Sequence, residues 1–340
     1  LISLRRKILK QIIKKIKTAK TIAVFCHSKP DPDALGALFA LSEGLKRIGK
    51  EVKTVLEEPI KKKYEFLAED YITEFPENCD LYICVDVAAP HMLGKFEKNF
   101  LAEKNTIEID HHANRTMCAK LSYVESFTAS CSEIIYKVLK NLKVKIDEKL
   151  ATLIYMGLAG DTGCFLHENT TVESHILAAE LMKCGAKVFF INRRLFKSNT
   201  KDKLKLIKLA LSKFEYYKDT LIVAISYADF KSIGYNPDEG VDLIDFVSSI
   251  EGVNLTALLT ERKPEICSIS FRSSEKYDVS KLAERFGGGG HKGASGCKDL
   301  PGKIEDIEKQ LRQQHIVICD FFCYSLTFSN RDVVKFKMEK

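Results

Sequence analysis

The residues best suited to chemistry begin at position 27, where the chain reads His-Ser-Lys-Pro-Asp-Pro-Asp-Ala-Leu-Gly as far as Gly36. His27, Asp31 and Asp33 put one imidazole and two carboxylates within seven residues, a set that can converge on a divalent cation. Pro30 and Pro32 stiffen the segment, so its ligands lose less entropy on binding. The spacing H-x-x-x-D-x-D arises by chance in many chains. Recurrence gives it weight: Asp86 ends the apolar run LYICVD, Asp110-His111-His112 ends TIEIDHH, and Asp161 follows IYMGLAG and precedes Thr162-Gly163. A single strand-end Asp reads most simply as the cap of the next helix. Several of them beyond the carboxyl ends of parallel strands would share one edge of one sheet, where such folds bind ligands. Carboxylate oxygens and imidazole nitrogens without thiolate favour manganese or magnesium over structural zinc. Cys26 adjoins His27 but reads as a core residue at the end of its strand. The donors exceed the needs of one ion and suit two, bridged by a carboxylate. Such a pair lowers the pKa of a bound water and neutralises a phosphoryl group during in-line attack.

A second candidate runs from Gly287 to Ala294, Gly-Gly-Gly-Gly-His-Lys-Gly-Ala. Its glycines, Gly288, Gly289 and Gly290 among them, let backbone approach an anion closely. A helix starting directly afterwards would aim free N–H groups at a phosphate, with His291 and Lys292 adding charge or hydrogen bonds. Four glycines alone suit a flexible turn. The nearby strand ISISFRSS shifts the reading, because Arg272 can sit beside the loop as a bidentate phosphate clamp. Gly44 to Lys50 matches G-x4-G-K, but Glu51 stands where a magnesium-binding Ser or Thr is required, and the segment ends a helix rather than opening one. His91, His167, His175 and His315 have no partners at ligand spacing.

These residues need a sheet to carry them, and the alternation of the chain predicts one. Residues 1–20 space their apolar side chains as an amphipathic helix that covers a sheet face. A short buried strand follows at 21–26. Helical periodicity over 34–48, 130–142 and 148–159 then alternates with strands near 52–55, 81–87 and 106–109. The fold class is α/β, a doubly wound and mostly parallel sheet over residues 1–190. A basic linker at 191–205 leads to a smaller α/β domain at 206–314, and the tail at 315–340 has no assigned role. In the second domain a helix to about 217, strands at 221–227, 255–260 and 266–272, and helices near 240–250, 279–286 and 304–313 are expected. Arg193 and Arg194 read first as solvated linker and second as charge that steers RNA.

Composition agrees with this layout. A chain of 340 residues suits two domains, and 45% apolar with 29% charged residues is an ordinary globular balance. The net charge of +7 suits an anionic substrate but falls short of a dedicated long-polymer binder. No run approaches the ~20 apolar residues that span a bilayer and no signal-peptide layout opens the chain, so no membrane association is expected. Eleven cysteines, odd in number and without C-x-x-C, read as reduced thiols in a cytoplasmic protein.

Together, H27-x-x-x-D31-x-D33, Asp86, Asp110-His111-His112 and Asp161-Thr162-Gly163 resemble the four motifs of the DHH phosphoesterase superfamily. Phe271-Arg272-Ser273, VSKLAERF and GGGGHKGASG resemble its DHH-associated C-terminal domain. The resemblance spans roughly residues 10–312, and the two-domain layout is most similar to the nanoRNase/pAp-phosphatase branch. That branch degrades very short oligoribonucleotides and removes the 3′-phosphate from 3′-phosphoadenosine 5′-phosphate (pAp). The resemblance implies two manganese ions, with magnesium able to substitute. His27 and Asp31 would hold one ion, Asp33 and His111 the other, with Asp86 as the bridge and Asp161 completing the cluster. His112 resembles the family's histidine that faces the scissile phosphate, and so stands with Asp86 as a catalytic candidate. Arg272, Gly288, Gly289, Gly290 and His291 match the substrate-holding segment. The implied partners are short RNA or DNA oligonucleotides and pAp, with a homodimer left open.

The expectation is therefore a manganese-dependent phosphodiesterase that releases 5′-mononucleotides from short oligonucleotides, a cleft between two small domains measuring out a few nucleotides. Linear or cyclic dinucleotides in signalling would keep the chemistry and change the substrate. A RecJ-like single-strand DNA exonuclease would need an OB-type domain with interleaved aromatics, which nothing here resembles. A non-catalytic RNA-binding role sits badly with a full ligand set, and a family II pyrophosphatase sits badly with a domain that grips nucleotides.

Overall fold

The structure is a computed structural model that describes residues 2–67, 69–237, 241, 243–274, 276–290 and 292–313, so His291 and the 315–340 tail lie outside the described residues. The chain divides into two compact units, Leu1–Ser198 and Asn199–Lys340.

In the first unit β1 (Thr21–Phe25), β2 (Glu51–Val55), β3 (Leu81–Val85), β4 (Thr106–Asp110) and β5 (Leu121–Val124) form a parallel sheet in the order β2-β1-β3-β4-β5. The helices are α1 (Ile2–Thr18), α2 (Pro32–Arg47), α3 (Glu97–Ala102), α4 (Cys131–Asn141), α5 (Glu148–Asp161), α6 (Val172–Lys183) and α7 (Val188–Phe196). Side chains alternate across a strand, so both faces need cover. Ile22 and Val24 of β1 join one core with side chains of α1, α2, α4 and α5. Ala23 and Phe25 point the other way, into a core with Tyr82, Phe96 and Phe100 of α3. Among the described residues no helix is long and apolar enough to cross a membrane.

The α2/α5 contact is unusually close. A Cβ at Gly36 would lie 2.7 Å from Leu153 O and 2.9 Å from Gly157 N. One at Gly157 would collide with Ser132 Oγ and lie 2.5 Å from Asp33 Oδ1. Glycine here lets two helices approach until the Asp33 carboxylate of α2's first turn and the start of α4 fit against α5.

The second unit holds α8 (Lys201–Ser212), β6 (Phe214–Tyr217), β7 (Thr220–Ile225), α9 (Tyr227–Ser232), α10 (Ile244–Ser248), β8 (Leu255–Lys263), β9 (Ile266–Ser273), α11 (Val279–Glu284), β10 (Gly289–Gly290), β11 (Ala294–Pro301) and a helix over 304–313. Its sheet runs β10-β11-β9-β8-β7-β6, antiparallel except for the parallel β7/β8 pair. Residues 191–205, the expected basic linker, are helical over most of their length, in α7 and α8. Arg194 is also engaged there, its guanidinium 5.8 Å from the Phe66 ring and 5.4 Å from that of Phe190. The helix expected to about Tyr217 stops at Ser212, because Phe214–Tyr217 pairs with β7 across a two-residue turn. The glycine run opens a strand, not a helix.

An ordinary helical Gly→Ala change stabilises by up to about 1 kcal/mol. Gly157→Ala is expected to do the opposite and cost roughly 1–3 kcal/mol through overpacking against Ser132 and Asp33. Urea denaturation of the purified variant decides the sign, and an unchanged or raised midpoint would show that the contact yields.

Candidate active site

The strand order reverses at β1 and β3, and the crevice beyond their carboxyl ends is where a doubly wound sheet places its ligand. His27 follows β1 by two residues and Asp86 follows β3 directly. They meet there, His27 Nε2 lying 3.8 Å from Asp86 Oδ2. Asp86 leaves the strand in the left-handed region, φ 57°, while its N–H still donates to Ile109 O at 3.0 Å. Aspartate tolerates that conformation better than most residues.

Asp31 and Asp33 are placed by helix starts. Asp31 caps α2, accepting at Oδ1 from the amides of Asp33 at 2.9 Å and Ala34 at 3.0 Å, with Pro32 pre-set for the first turn. Asp33 is buried and reaches the start of α4, where the amides of Cys131 (2.6 Å) and Ser132 (3.0 Å) donate to its two oxygens. Two amides at a helix N-terminus hold a carboxylate in one orientation. From β4, His111 Nε2 lies 3.5 Å from both Asp86 Oδ1 and Asp161 Oδ2 and 4.0 Å from Asp33 Oδ2. Its Nδ1 lies 3.4 Å from Thr128 O. Asp161 arrives from the last residue of α5, a helix end and not a strand end.

The structure therefore brings all six sequence-derived ligand candidates together. Three linked groups of donor atoms result, each within 4.8 Å: His27, Asp31 and Asp86; Asp33, His111 and Asp161; and Asp86, His111 and His112. Asp86 and His111 each belong to two of them. Asp86 Oδ1 is buried with no hydrogen-bond donor, an orphan that a cation would satisfy. The donors are all oxygen or imidazole nitrogen, and Cys26 and Cys131 turn their thiols to the carbonyls of His27 and Ile109. Such a set fits manganese or magnesium.

The electrostatics agree with a site short of positive charge. Burial, then the Asp33 carboxylate, push Asp86 up to about 7, and the same two causes bring Asp161 to about 7. Burial alone would lower His111, yet the Asp86 carboxylate 3.5 Å from its Nε2 and the charges of Asp33 and Asp161 raise it to about 10. His112 differs. Its Nδ1 lies 2.7 Å from Asp110 Oδ1, and that bond raises its pKa. Its side chain is 37% exposed, so the ring is oriented from behind and open in front. Asp110 itself is buried, with Arg115 Nε 3.7 Å from Oδ2 and the Arg115 guanidinium paired to buried Glu108. Sequence reading did not single out Asp110 as His112's anchor, nor Arg115, Thr128 or the α4 amides.

In the second unit, Arg272 lies on β9 in register with Ala294, and the Arg272 guanidinium donates to Phe271 O at 3.1 Å. Gly289 and Gly290 pair with Gly296 and Ser295 at the sheet edge. A Cβ at Gly288 would strike Gly296 O, and Gly290 takes φ 143° with its Cβ position 2.6 Å from Ser295 Cα. Close strand approach, not the start of a helix, explains these glycines. The expected helix dipole is absent there, and an edge strand of backbone amides stands in its place.

Residues 21–158 match the family described as "DHH family, N-terminal domain", and residues 220–315 match the "DHHA1 domain". With the parallel sheet and the carboxylate–histidine cluster at its switch point, the chain belongs to the DHH family, hydrolases that act on phosphate esters. Its relatives narrow the class. A probable bifunctional oligoribonuclease and PAP phosphatase from Streptococcus mutans is 30% identical over 312 residues, covering 89% of this chain and 97% of the relative. The bifunctional oligoribonuclease and PAP phosphatase of Bacillus subtilis is 28% identical, covering 84% of this chain and 92% of its own. Among solved structures, an exopolyphosphatase-related protein from Bacteroides fragilis matches with a TM-score of 0.84 at 22% identity, covering 92% of this chain and 98% of that one. RecJ of Thermus thermophilus in complex with Mn2+ matches at 0.51 and 15%, covering 96% of this chain and 55% of that one.

A carboxyl raised in the folded state holds a proton that the unfolded chain releases, so its stabilisation is complete below about pH 4 and is lost as pH rises through about 7. In the chelated protein Asp161→Asn is thus expected to raise the melting temperature at pH 8 and leave it nearly unchanged at pH 4. Thermal melts in EDTA test this, and an equal effect at both pH values would contradict it.

Proposed function

We propose that this chain is a two-metal phosphodiesterase that degrades short RNA or DNA oligonucleotides to 5′-mononucleotides and removes the 3′-phosphate from pAp. The convergence of His27, Asp31, Asp33, Asp86, His111 and Asp161 into linked donor groups is the observation that carries it. His27 and Asp31 would hold one manganese, Asp33, His111 and Asp161 the other, and Asp86 would bridge them, with magnesium as the substitute. Ions there would activate a water and neutralise charge on the phosphoryl group. The substrate reading rests on the names of the Streptococcus and Bacillus relatives, which the chain matches over most of their length.

The chain's own residues divide the remaining work. Asp110 holds His112 Nδ1 at 2.7 Å, which fixes the ring and favours its protonated form. His112 Nε2 is then poised to steady charge on a phosphate oxygen or to give a proton to the leaving oxygen. Amides from α4 keep Asp33 from rotating as charge shifts in the cluster. In the second unit, Arg272 and the Gly288–Gly290 segment would bind a terminal nucleotide's phosphate, the guanidinium as a fork and the glycines by letting backbone approach closely. His291 is assigned to the same role from its sequence alone. A cytoplasmic setting accords with the cysteines, which are all free thiols among the described residues.

Turnover of an end-labelled RNA ladder from dinucleotides to twenty-four nucleotides, in manganese and sampled early, tests the proposal. Rates should fall steeply once the strand exceeds a handful of nucleotides, pAp should be dephosphorylated, and Asp86→Ala should abolish both activities. Equal or faster attack on the long strands would make the protein a processive exonuclease instead. Preference for a cyclic dinucleotide over every linear one would move it to signalling.

A further inference from the structure

The strands of the first unit begin at the edge opposite the metal-ligand cluster, roughly 15 Å away for strands of this length. A cavity of about 1110 Å3 opens there. It is lined by Lys14 and Lys15 from the end of α1, Lys20 before β1, Asp80 before β3, Asn105 before β4 and Lys120 before β5. Four ammonium groups thus share the cavity with one carboxylate.

That carboxylate is already engaged, since Asp80 Oδ2 accepts from the amides of Lys20 at 2.7 Å and Thr21 at 3.0 Å. Lysines at a helix end ordinarily offset its negative pole. Here Lys50 does so, its Nζ donating to Lys17 O and Ala19 O at 2.6 Å each. Lys15 Nζ has a neutral partner, Asn105 Oδ1 at 3.2 Å. The rest of α1 adds Arg5, Arg6, Lys7, Lys10 and Lys17 without one acidic residue. Glu51 opens β2 on this edge and Glu103 lies near Cys79, but among the side chains that line the cavity the four ammonium groups outnumber the one carboxylate, and their mutual repulsion favours an anion there.

We propose that this cavity binds a phosphate-bearing anion, a nucleotide or the backbone of a short RNA, at a site separate from the metal centre. Lysine ammonium groups are point charges suited to phosphate, and the cavity is large enough for a ligand of nucleotide to dinucleotide size. Binding here does not depend on the catalytic reading above.

Fluorescence anisotropy of a 5′-fluorescein RNA hexamer, titrated with the full chain in EDTA so that it is not cleaved, gives the test. Lys14→Ala/Lys15→Ala/Lys120→Ala is expected to weaken binding at least tenfold and to flatten the plot of log K against log salt by about two. Manganese-dependent dinucleotide hydrolysis and the melting temperature should be unaffected by the same changes, and Lys14→Arg/Lys15→Arg should bind as the parent does. Displacement of the hexamer by AMP from the parent protein, lost in the triple variant, would identify a mononucleotide as sufficient. Displacement by unlabelled hexamer alone would identify the RNA chain. Unchanged affinity and salt slope in the triple variant would overturn the proposal.

Discussion

Carboxylates crowded into a space nearly stripped of water are the constraint on which the first unit turns. Asp33 and Asp86 are almost wholly buried, and oxygens of Asp31 with Asp86, and of Asp33 with Asp161, lie within 4.8 Å. At an effective dielectric near 20, two unit charges at that separation repel by roughly 3–4 kcal/mol. His111 and the two α4 amides offset part of this, yet Asp86 and Asp161 are still held up to about 7 and Asp86 Oδ1 still lacks a donor. Divalent cations relieve the repulsion that remains. The cluster is thus costly to fold empty and well suited to being filled.

Everything around the cluster serves to keep it from relaxing. The core on one face fixes α2, α4 and α5, and the aromatic core on the other holds β1 and β3 in register. Gly36 and Gly157 let α2 and α5 close to backbone contact, which brings the end of α5, and Asp161 with it, to the sheet edge. Asp110 performs a different task with the same economy of space. It belongs to none of the ligand groups itself but fixes the His112 imidazole at their open side.

Much of this was legible in the chain, because each signal was local. An apolar run that stops at an acid marks a strand end, and strand ends in a parallel sheet share an edge, so His27, Asp33, Asp86 and His111 could be grouped before any coordinates. Features that depend on distant pairing were not legible. Asp161 was grouped with the strand-end acids although the helical periodicity over 148–159 already placed its run in a helix, and what the sequence did not show is that close packing of α2 on α5 carries that helix end to the sheet edge. The glycine run carried a helix expectation because nothing local announced that Gly289 and Gly290 would pair with Gly296 and Ser295. Phe214–Tyr217 read as helix because its turn is Lys218-Asp219, with Lys218 at φ 54°, and lacks the Asn-Gly or Asp-Gly signature of a hairpin. The Cys131 and Ser132 amides have no sequence signature at all, since any residue would supply them.

Diffraction from manganese-soaked crystals at the manganese absorption edge tests most directly whether the carboxylate cluster is built for a pair of ions. The expected result is two anomalous peaks per chain, about 3.5–4 Å apart, with Asp86 between them. A single peak, or two peaks with Asp86 bound to neither, would contradict it.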